Sequence, residues 1–237
     1  MKTILFDLDG TLLPMDLTYF SEVFYRELYR ELSTLGYLDE EIAAGMGAAM
    51  PAMIANTGAC TNREIFLSRF AEAVGDNRIY RDEAAICRYY ATRFEVVASS
   101  CGYESRARVL LDALHREGVP AVLATNPMFP FEATSARLGW AGLSHEDFVY
   151  ITSYDNSSYC KPNPDYFREI LSRLSLSPEE CLMVGNNVDE DMVAREAGIS
   201  VFLVTDSLIN LHEADLGQFP HGDFGEAITA VLDFIKA

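Results

Sequence analysis

Apolar residues along this chain form two kinds of pattern, short continuous runs and longer stripes at helical spacing. The short runs predict buried β-strands, and the first of them ends at an Asp-Gly turn signal. The stripes predict amphipathic helices, several of which end at a glycine. The predicted strands cover residues 3–6, 121–124, 149–152, 182–184 and 201–204. The predicted helices that alternate with the later strands begin near Ser105, Asn163, Asp189 and Phe224.

The segment between the first and second predicted strands has a helical pattern throughout. One apolar stripe covers residues 20–35, and a capping box formed by Thr61 and Glu64 opens a second helix. A further helix is predicted over residues 86–97. Residues 17–99 contain no convincing strand pattern, so they predict an all-helical unit.

The first strand needs partners, because a lone strand attached to helices would leave its backbone groups unpaired. Strands that alternate with helices predict a parallel sheet with helices on both faces. We therefore predict an α/β fold, a Rossmann-like doubly wound parallel sheet built from residues 1–15 and 102–237. The all-helical residues 16–101 are predicted to be inserted after the first strand.

Composition limits the compartment and the partners of the protein. The 237 residues carry a formal net charge of −18. This charge would repel a phosphate backbone and anionic lipid, so neither nucleic acid nor a membrane is an expected partner. Five scattered cysteines without a C-x-x-C pair argue against disulfides and a zinc site. With no signal peptide and no apolar run long enough to cross a membrane, the sequence predicts a cytoplasmic protein.

Polar stretches follow four of the predicted strands, which is where an open parallel sheet binds its ligand. In chain order they are DLDGT at residues 7–11, TNP at 125–127, the loop that carries Lys161, and GNNVDED at 185–191. Each stretch alone is a common turn or helix-cap signal, but packing does not require all four to occur in this order. Asp7 and Asp9 point the same way from an extended backbone, so they need a cation nearby.

These stretches resemble the four successive motifs of the haloacid dehalogenase superfamily, in the forms DLDGTL, ATN, KPNPDYF and VGNNVDED. The resemblance covers roughly residues 2–235, and the helical insertion looks like that family's C1 type of cap. It implies a Mg²⁺-dependent phosphomonoester hydrolase that works through an aspartyl-phosphate intermediate. A capped site also implies a small phosphorylated metabolite as the substrate.

The resemblance implies a role for each matching residue. Asp7 would be the nucleophile, and Asp9 would first protonate the leaving oxygen and then activate water as a base. The Thr125 hydroxyl and the backbone N–H of Asn126 would hold phosphate oxygens. Lys161 would contribute both to catalysis and to phosphate binding, as a fixed positive charge.

The same resemblance implies a magnesium site built from oxygen ligands. Asp7, the backbone carbonyl of Asp9 and the carboxylate of Asp191 would bind the ion. Many relatives carry Asp directly after the glycine of the fourth motif, where this chain has Asn186. An amide oxygen can bind Mg²⁺ but brings no charge, so Asn186 is a candidate ligand that would hold the ion more weakly than a carboxylate. Asp189 is the alternative carboxylate.

Four other functions are weighed against this one. A 2-haloacid dehalogenase would use Asp7 on carbon without a metal, but such enzymes typically lack an acid at the position of Asp9. A non-catalytic member would keep the core as a phosphate-binding scaffold, and the pair Asn186 and Asn187 keeps that alternative open. A phosphonate hydrolase would need a lysine from the cap, and residues 18–100 contain none. A receiver-type switch would place its accepting Asp after a later strand.

Overall fold

A computed structural model describes all residues of the chain, 1–237. At its centre is a six-stranded sheet in which every neighbouring pair is parallel. The strands are β1 (Thr3–Phe6), β2 (Ala121–Leu123), β3 (Tyr150–Ile151), β4 (Cys181–Gly185), β5 (Ser200–Val204) and β6 (His221–Gly222). Their order is β3-β2-β1-β4-β5-β6, so the winding direction reverses between β1 and β4. The predicted doubly wound parallel sheet is confirmed.

The central strand β1 is buried on both faces. Leu5 lies opposite Val122 of β2 on one side and opposite Met183 of β4 on the other. Ile4 and Phe6 belong to one hydrophobic cluster and Leu5 to another, because successive side chains of a strand point to opposite faces. The reversal of strand order beside β1 creates the crevice in which such a sheet binds a ligand.

The helical insertion, defined here as residues 17–100, lies between β1 and β2 in the sequence. It consists of α1 (Leu17–Thr34), α2 (Asp39–Ile54), α3 (Asn62–Val74), α4 (Arg78–Thr92) and a 3-10 helix (Phe94–Ser100). The predicted capping box is present, since the backbone N–H of Thr61 donates to the Glu64 carboxylate at 2.8 Å and the Glu64 N–H donates to the Thr61 hydroxyl at 3.3 Å. Met15 and Cys101 form an antiparallel bridge, so the two connecting segments run side by side.

Two helices of the insertion differ from the sequence prediction. The helix predicted over residues 86–97 begins earlier and ends at Thr92, and the next residues form the 3-10 helix, in which Phe94 and Val97 are buried. The apolar pattern of the sequence does not predict helix α2. Alanine, glycine and methionine fill most of it, so its apolar residues do not form a narrow stripe.

Four helices cover the sheet. They are α5 (Ser105–Arg116), α6 (Phe131–Trp140), α7 (Pro164–Leu174) and α8 (Phe224–Lys236). The apolar stripes predict α5, α7 and α8 correctly. They miss α6, because Thr134 and Arg137 lie on its buried side and interrupt the apolar pattern. They also miss β6, which is only two residues long and has no apolar run.

The helix predicted over residues 189–197 is a 3-10 helix that begins only at Met192. The Asn187 side-chain oxygen accepts hydrogen bonds from the backbone N–H groups of Asp189 and Glu190, at 3.0 and 3.2 Å. Such bonds hold a turn and compete with the helix. The Asp191 carboxylate closes the same turn, since it accepts from the Asn187 N–H at 2.9 Å.

The hydrophobic core lies on both faces of the sheet. A cluster of 42 buried residues joins one face to the helical insertion, so the two share one continuous core. A smaller cluster of 11 buried residues packs between the other face and α7.

None of the helices combines the length and the apolar character that crossing a membrane requires.

Candidate active site

Asp7 follows the last residue of β1 and is held by the neighbouring strand. Its backbone N–H donates to the Val184 carbonyl of β4 at 2.9 Å, which continues the ladder past the end of β1. The chain then turns at Gly10, whose φ of +88° favours glycine. A Cβ at Gly10 would also overlap the Asn186 amide. The turn therefore brings the first and the fourth sequence motifs together.

Lys161 lies between two acidic side chains at the carboxyl ends of β1 and β4. Its Nζ is 2.9 Å from Asp7 Oδ1 and 2.6 Å from Asp191 Oδ1. The Lys161 and Asp191 side chains are 0% and 1% exposed, and that of Asp7 is 11% exposed. These three residues, termed the acid–lysine triad, are the part of the predicted site that the fold brings into direct contact.

The charges of the acid–lysine triad depend on one another. Burial would lower the pKa of the Lys161 ammonium, but Asp191 and Asp7 raise it well above its ordinary value. Burial is also the main cause that raises the pKa of Asp7 to about 8; Lys161 opposes this shift, whereas Asp191 and Asp9 add to it. When Asp7 and Asp191 are both ionised, two negative charges face the single positive charge of Lys161, and a further cation would stabilise that state.

Asn126 connects the loop after β2 to the loop of Lys161 and to Glu190. Its Oδ1 accepts from the backbone N–H of Lys161 at 3.2 Å, and its Nδ2 donates to Glu190 Oε2 at 3.0 Å. The neighbouring Thr125 is buried, and its carbonyl accepts from the Tyr166 hydroxyl at 2.9 Å. The sequence predicts that the backbone N–H of Asn126 binds phosphate. The hydrogen bonds of the Asn126 side chain, including the one to Glu190, are seen only in the structure.

Asn186 lies beside the turn that follows β1. Its Oδ1 accepts from the Thr11 hydroxyl at 2.9 Å, and its Nδ2 donates to the Ser207 carbonyl at 2.7 Å. Asp189, the alternative carboxylate, lies 3.0 Å from His212 and pairs with none of the triad residues. Asn186 contacts the turn after Asp7 at Gly10 and Thr11, whereas Asp189 pairs with His212, so Asn186 is the better placed of the two.

The oxygen atoms around the acid–lysine triad are of the types that bind a hard cation. Asp7 and Asp191 offer carboxylates, Asn186 an amide oxygen and Asp9 a backbone carbonyl, which are ligand types that Mg²⁺ prefers. No three His, Cys, Asp or Glu side chains are grouped for metal binding in the chain. A metal here would thus depend on amide and main-chain oxygens as well as on carboxylates.

The Asp9 side chain forms no ion pair with the acid–lysine triad. It pairs with Arg137 of α6, which is 1% exposed. No sequence pattern identified Arg137 as a functional residue. Pro130 before α6 and Gly142 after it are the sequence signals that bound this helix, and neither distinguishes its arginine.

The helical insertion contacts the two loops that carry the phosphate-binding candidates through Asn62, the first residue of α3. Asn62 Nδ2 lies 3.3 Å from the carbonyl oxygens of Pro127 and Tyr159, and its Oδ1 accepts from Asn56 at 2.9 Å. Its backbone N–H donates to the Ser157 carbonyl at 2.9 Å. Because Asn62 is fully buried, these bonds join the insertion to the loops after β2 and β3 without competition from water.

Replacing Asn62 by alanine is expected to weaken this connection. The carbonyl oxygens of Pro127 and Tyr159 would lose a buried donor, so the free energy of unfolding should fall by about 1–3 kcal/mol. Equilibrium unfolding in urea measures the loss. Asn77→Ala, at an exposed position of the same insertion, is the control and should change the value by less than about 0.5 kcal/mol. Equal, small losses in both variants would contradict a connecting role for Asn62.

Comparison with known proteins places the chain in a family. Residues 1–198 match the family model of a haloacid dehalogenase-like hydrolase. A phosphoserine phosphatase of Thermus thermophilus is 28% identical, and the match covers 84% of this chain and 86% of that protein. A phosphoglycolate phosphatase of Rhodospirillum rubrum is 25% identical over 205 residues, which covers 86% of this chain and 79% of that protein.

Shorter matches and solved structures agree with this assignment. Two other curated relatives match over only 25% and 29% of their own lengths. The crystal structure of a HAD phosphatase from Thermococcus onnurineus has a TM-score of 0.57 at 20% identity and covers 98% of both chains, which shows a shared fold. Because the family model matches most of the chain, from β1 to the fourth sequence motif, the protein belongs to the haloacid dehalogenase-like hydrolase family.

Proposed function

We propose that this hydrolase releases phosphate from a small phosphorylated metabolite, with Asp7 as the nucleophile. The observation that carries the proposal is the buried acid–lysine triad, in which Lys161 Nζ contacts Asp7 at 2.9 Å and Asp191 at 2.6 Å. A carboxylate that attacks a dianionic phosphate needs a fixed positive charge beside it. The relatives that match over most of their length are named phosphatases, which supports phosphate as the transferred group.

The reaction would proceed in two steps on the same aspartate. In the first, an Asp7 oxygen bonds to phosphorus, the bond to the leaving oxygen breaks, and Asp9 gives its carboxyl proton to that oxygen. In the second, a water oxygen bonds to phosphorus while Asp9 takes a proton from the water, and the bond between phosphorus and Asp7 breaks. The products are an alcohol and phosphate, and both acids return to their starting state.

The remaining predicted residues would bind the phosphate. The Thr125 hydroxyl and the Asn126 N–H belong to a loop that hydrogen bonds with the Lys161 backbone at 3.2 Å. Because this loop is held before the substrate arrives, little reorganisation is needed on binding. Lys161 would face the phosphate oxygens as well as Asp7.

We propose Mg²⁺ as the cofactor, held by Asp7, Asp191, the Asp9 backbone carbonyl and the Asn186 amide oxygen. When bound, the ion would neutralise negative charge on the phosphate and on the surrounding acids. Two like charges about 4 Å apart repel by roughly 4 kcal/mol at an effective dielectric near 20. Several such repulsions would act in this site at once, and Lys161 carries only one positive charge.

The surroundings of the site support a small substrate. A cleft of about 610 Å³ is lined by Asp9, Gly10, Asn186 and Ser207, together with the first residues of the segment that leads into the insertion. A volume of this size suits a metabolite. Residues 16–101 would act as a C1-type cap that covers the substrate and excludes water during the first step.

A 2-haloacid dehalogenase and a non-catalytic scaffold are the competing functions. A halide leaves carbon without taking up a proton, whereas an alkoxide leaving phosphorus needs one. The presence of Asp9 beside the nucleophile, paired with a buried arginine, therefore favours phosphate ester hydrolysis. An inert scaffold would have no use for a nucleophile held against a buried lysine.

A phosphate-release assay over a panel of phosphorylated metabolites, with Mg²⁺ and with a chelator, tests the proposal. At least one metabolite should be hydrolysed, and the chelator should remove the activity. Halide release from 2-haloacids is measured on the same preparation. Halide release without phosphate release would identify a dehalogenase, and the absence of both activities would favour the scaffold.

Replacing Asn186 by aspartate is expected to make the protein more dependent on Mg²⁺. An aspartate oxygen would face the Ser207 carbonyl oxygen, to which the amide now donates at 2.7 Å. In chelator the free energy of unfolding should therefore fall by about 1–3 kcal/mol. The added negative charge should lower the Mg²⁺ concentration for half-maximal phosphate release by about tenfold. Urea unfolding in chelator and a Mg²⁺ titration of activity measure the two effects.

Asn187→Asp is the matched control for this variant. The Asn187 side-chain oxygen accepts from the backbone N–H groups of Asp189 and Glu190, and an aspartate can accept the same two bonds. The control thus adds an equal charge one residue away without losing a donor. If both variants respond to Mg²⁺ alike, Asn186 is not at the metal.

A further inference from the structure

Arg137 is a buried cation that the proposed steps do not yet use. It is one of the largest fully buried side chains of the protein, and it donates to Asp9 Oδ2. It also donates to the Ala133 carbonyl at 3.3 Å and to the Thr134 hydroxyl at 3.4 Å. Its guanidinium carbon lies 4.5 Å from the centre of the Phe129 ring. Three contacts besides Asp9 therefore fix the guanidinium in place.

Arg137 holds only one of the two carboxylate oxygens of Asp9. The other, Oδ1, is buried and has no hydrogen-bond partner in the protein. A buried carboxylate oxygen without a donor is unfavourable, so it is expected where a ligand supplies the missing partner. Asp9 also lines the cleft beside the site, and its side chain is 24% exposed. The Asp9 side chain thus lines the cleft, whereas its Oδ1 is itself closed to solvent and still lacks a donor.

We propose that Arg137 is a positioning residue, which holds Asp9 by Oδ2 so that Oδ1 exchanges the proton with the leaving-group oxygen. The inference rests on the proposed phosphatase function. It assigns the two oxygens of one carboxylate to different tasks, one anchored by the protein and one left for the substrate. In the first step the proton passes from Oδ1 to the leaving oxygen as its bond to phosphorus breaks. In the second step Oδ1 takes a proton from water.

A fixed guanidinium also acts on the charge that develops during the first step. Asp9 becomes more negative as it gives up its proton, and a cation bonded to Oδ2 stabilises that charge most strongly when it is fully formed. Because Ala133, Thr134 and Phe129 already hold Arg137, the cation does not have to move at that moment. Lysine lacks the planar fork of donors, so it could not keep all of these contacts.

The alternative is that Arg137 and Asp9 form a purely structural ion pair. Substrates with different leaving groups distinguish this role from a positioning role. A structural pair would affect folding, and its loss would slow every substrate to the same degree. A positioning role concerns proton donation, which matters only when the leaving group needs a proton. p-Nitrophenolate leaves without one, whereas the more basic phenolate depends on it.

The test compares p-nitrophenyl phosphate with phenyl phosphate in Arg137→Met, with the enzyme in excess over substrate. Release of the phenol in this first turnover isolates the step in which the leaving group takes the proton. We expect Arg137→Met to slow release from phenyl phosphate by about 100-fold and release from p-nitrophenyl phosphate by less than about fivefold. Arg137→Lys should show the same preference with a smaller loss.

Arg108→Met is the matched control, because Arg108 forms partly buried ion pairs with Asp147 and Asp112 at 2.7 and 2.6 Å, and pairs with no residue of the site. It should slow both substrates equally or not at all. A uniform loss on both substrates in folded Arg137→Met, or no loss, overturns the proposal. If Arg137→Met does not fold, Arg137→Lys decides by the same criterion. Absence of phosphate release by the unmodified protein would instead contradict the proposed function itself.

Discussion

Replacing Asp7 by asparagine is expected to lower kcat/KM for phosphate release by about 10⁴-fold or more. Asparagine keeps the size of the side chain and can still accept a hydrogen bond from Lys161. It lacks the carboxylate oxygen that forms the bond to phosphorus, so the first step has no nucleophile. The measurement is phosphate release in Mg²⁺ with the best substrate of the panel, at enzyme concentrations high enough to detect a residual rate.

The loss should be chemical and not structural. Burial raises the pKa of Asp7 to about 8, so the folded protein gains little from this carboxylate, and Lys161 keeps Asp191 as its partner. The melting temperature of Asp7→Asn should equal or exceed that of the unmodified protein. Asp165→Asn, at an acid paired with Arg168 on the surface of α7, is the control and should keep full activity. A folded Asp7→Asn protein with more than a tenth of the normal rate would contradict Asp7 as the nucleophile.

Strands and helices with a regular apolar pattern could be predicted from the sequence. β1 and β4 are short runs in which every residue is buried, and α7 begins at the Asn-Pro signal and has its apolar residues on one side. The local periodicity of apolar residues is enough to predict such elements. Helix α6 carries Arg137 on its buried side, and this arginine pairs with Asp9, more than a hundred residues earlier. The apolar periodicity of a segment contains no information about such a distant partner.

The same distinction applies to the candidate site. Asp7, Lys161 and Asp191 lie in the segments that follow β1, β3 and β4, and a parallel sheet brings those segments to one edge, so their meeting follows from the fold. Asn62 and Arg137 act from helices and reach the site only through tertiary packing. Their partners, the loop carbonyls for one and Asp9 for the other, are set by how the insertion and α6 pack against the loops beyond the strands. Local sequence carries no signal for such contacts.

Replacing Lys161 by methionine is expected to affect stability and activity together. Methionine keeps most of the apolar stem but removes the cation between Asp7 and Asp191. Burial already raises the pKa of Asp7 to about 8, so the Asp191 carboxylate is the one left buried without compensation. Removing one partner of a buried ion pair costs about 3–5 kcal/mol in the free energy of unfolding. Loss of the fixed charge beside the phosphate should also lower kcat by about 100-fold or more. Urea unfolding in chelator and phosphate release in Mg²⁺ measure the two effects.

The double variant Lys161→Met with Asp191→Asn separates the two consequences. With the uncompensated Asp191 carboxylate neutralised, the free energy of unfolding should recover by at least about 1 kcal/mol relative to Lys161→Met. Activity should not recover, because neither the cation beside the phosphate nor the charge of Asp191 is restored. Lys161→Arg keeps a cation but must fit a larger group into a fully buried space, so it should be folded less stably than the unmodified protein. If Lys161→Met lowers activity without lowering stability, the triad is not the buried ionic cluster on which the proposed function rests.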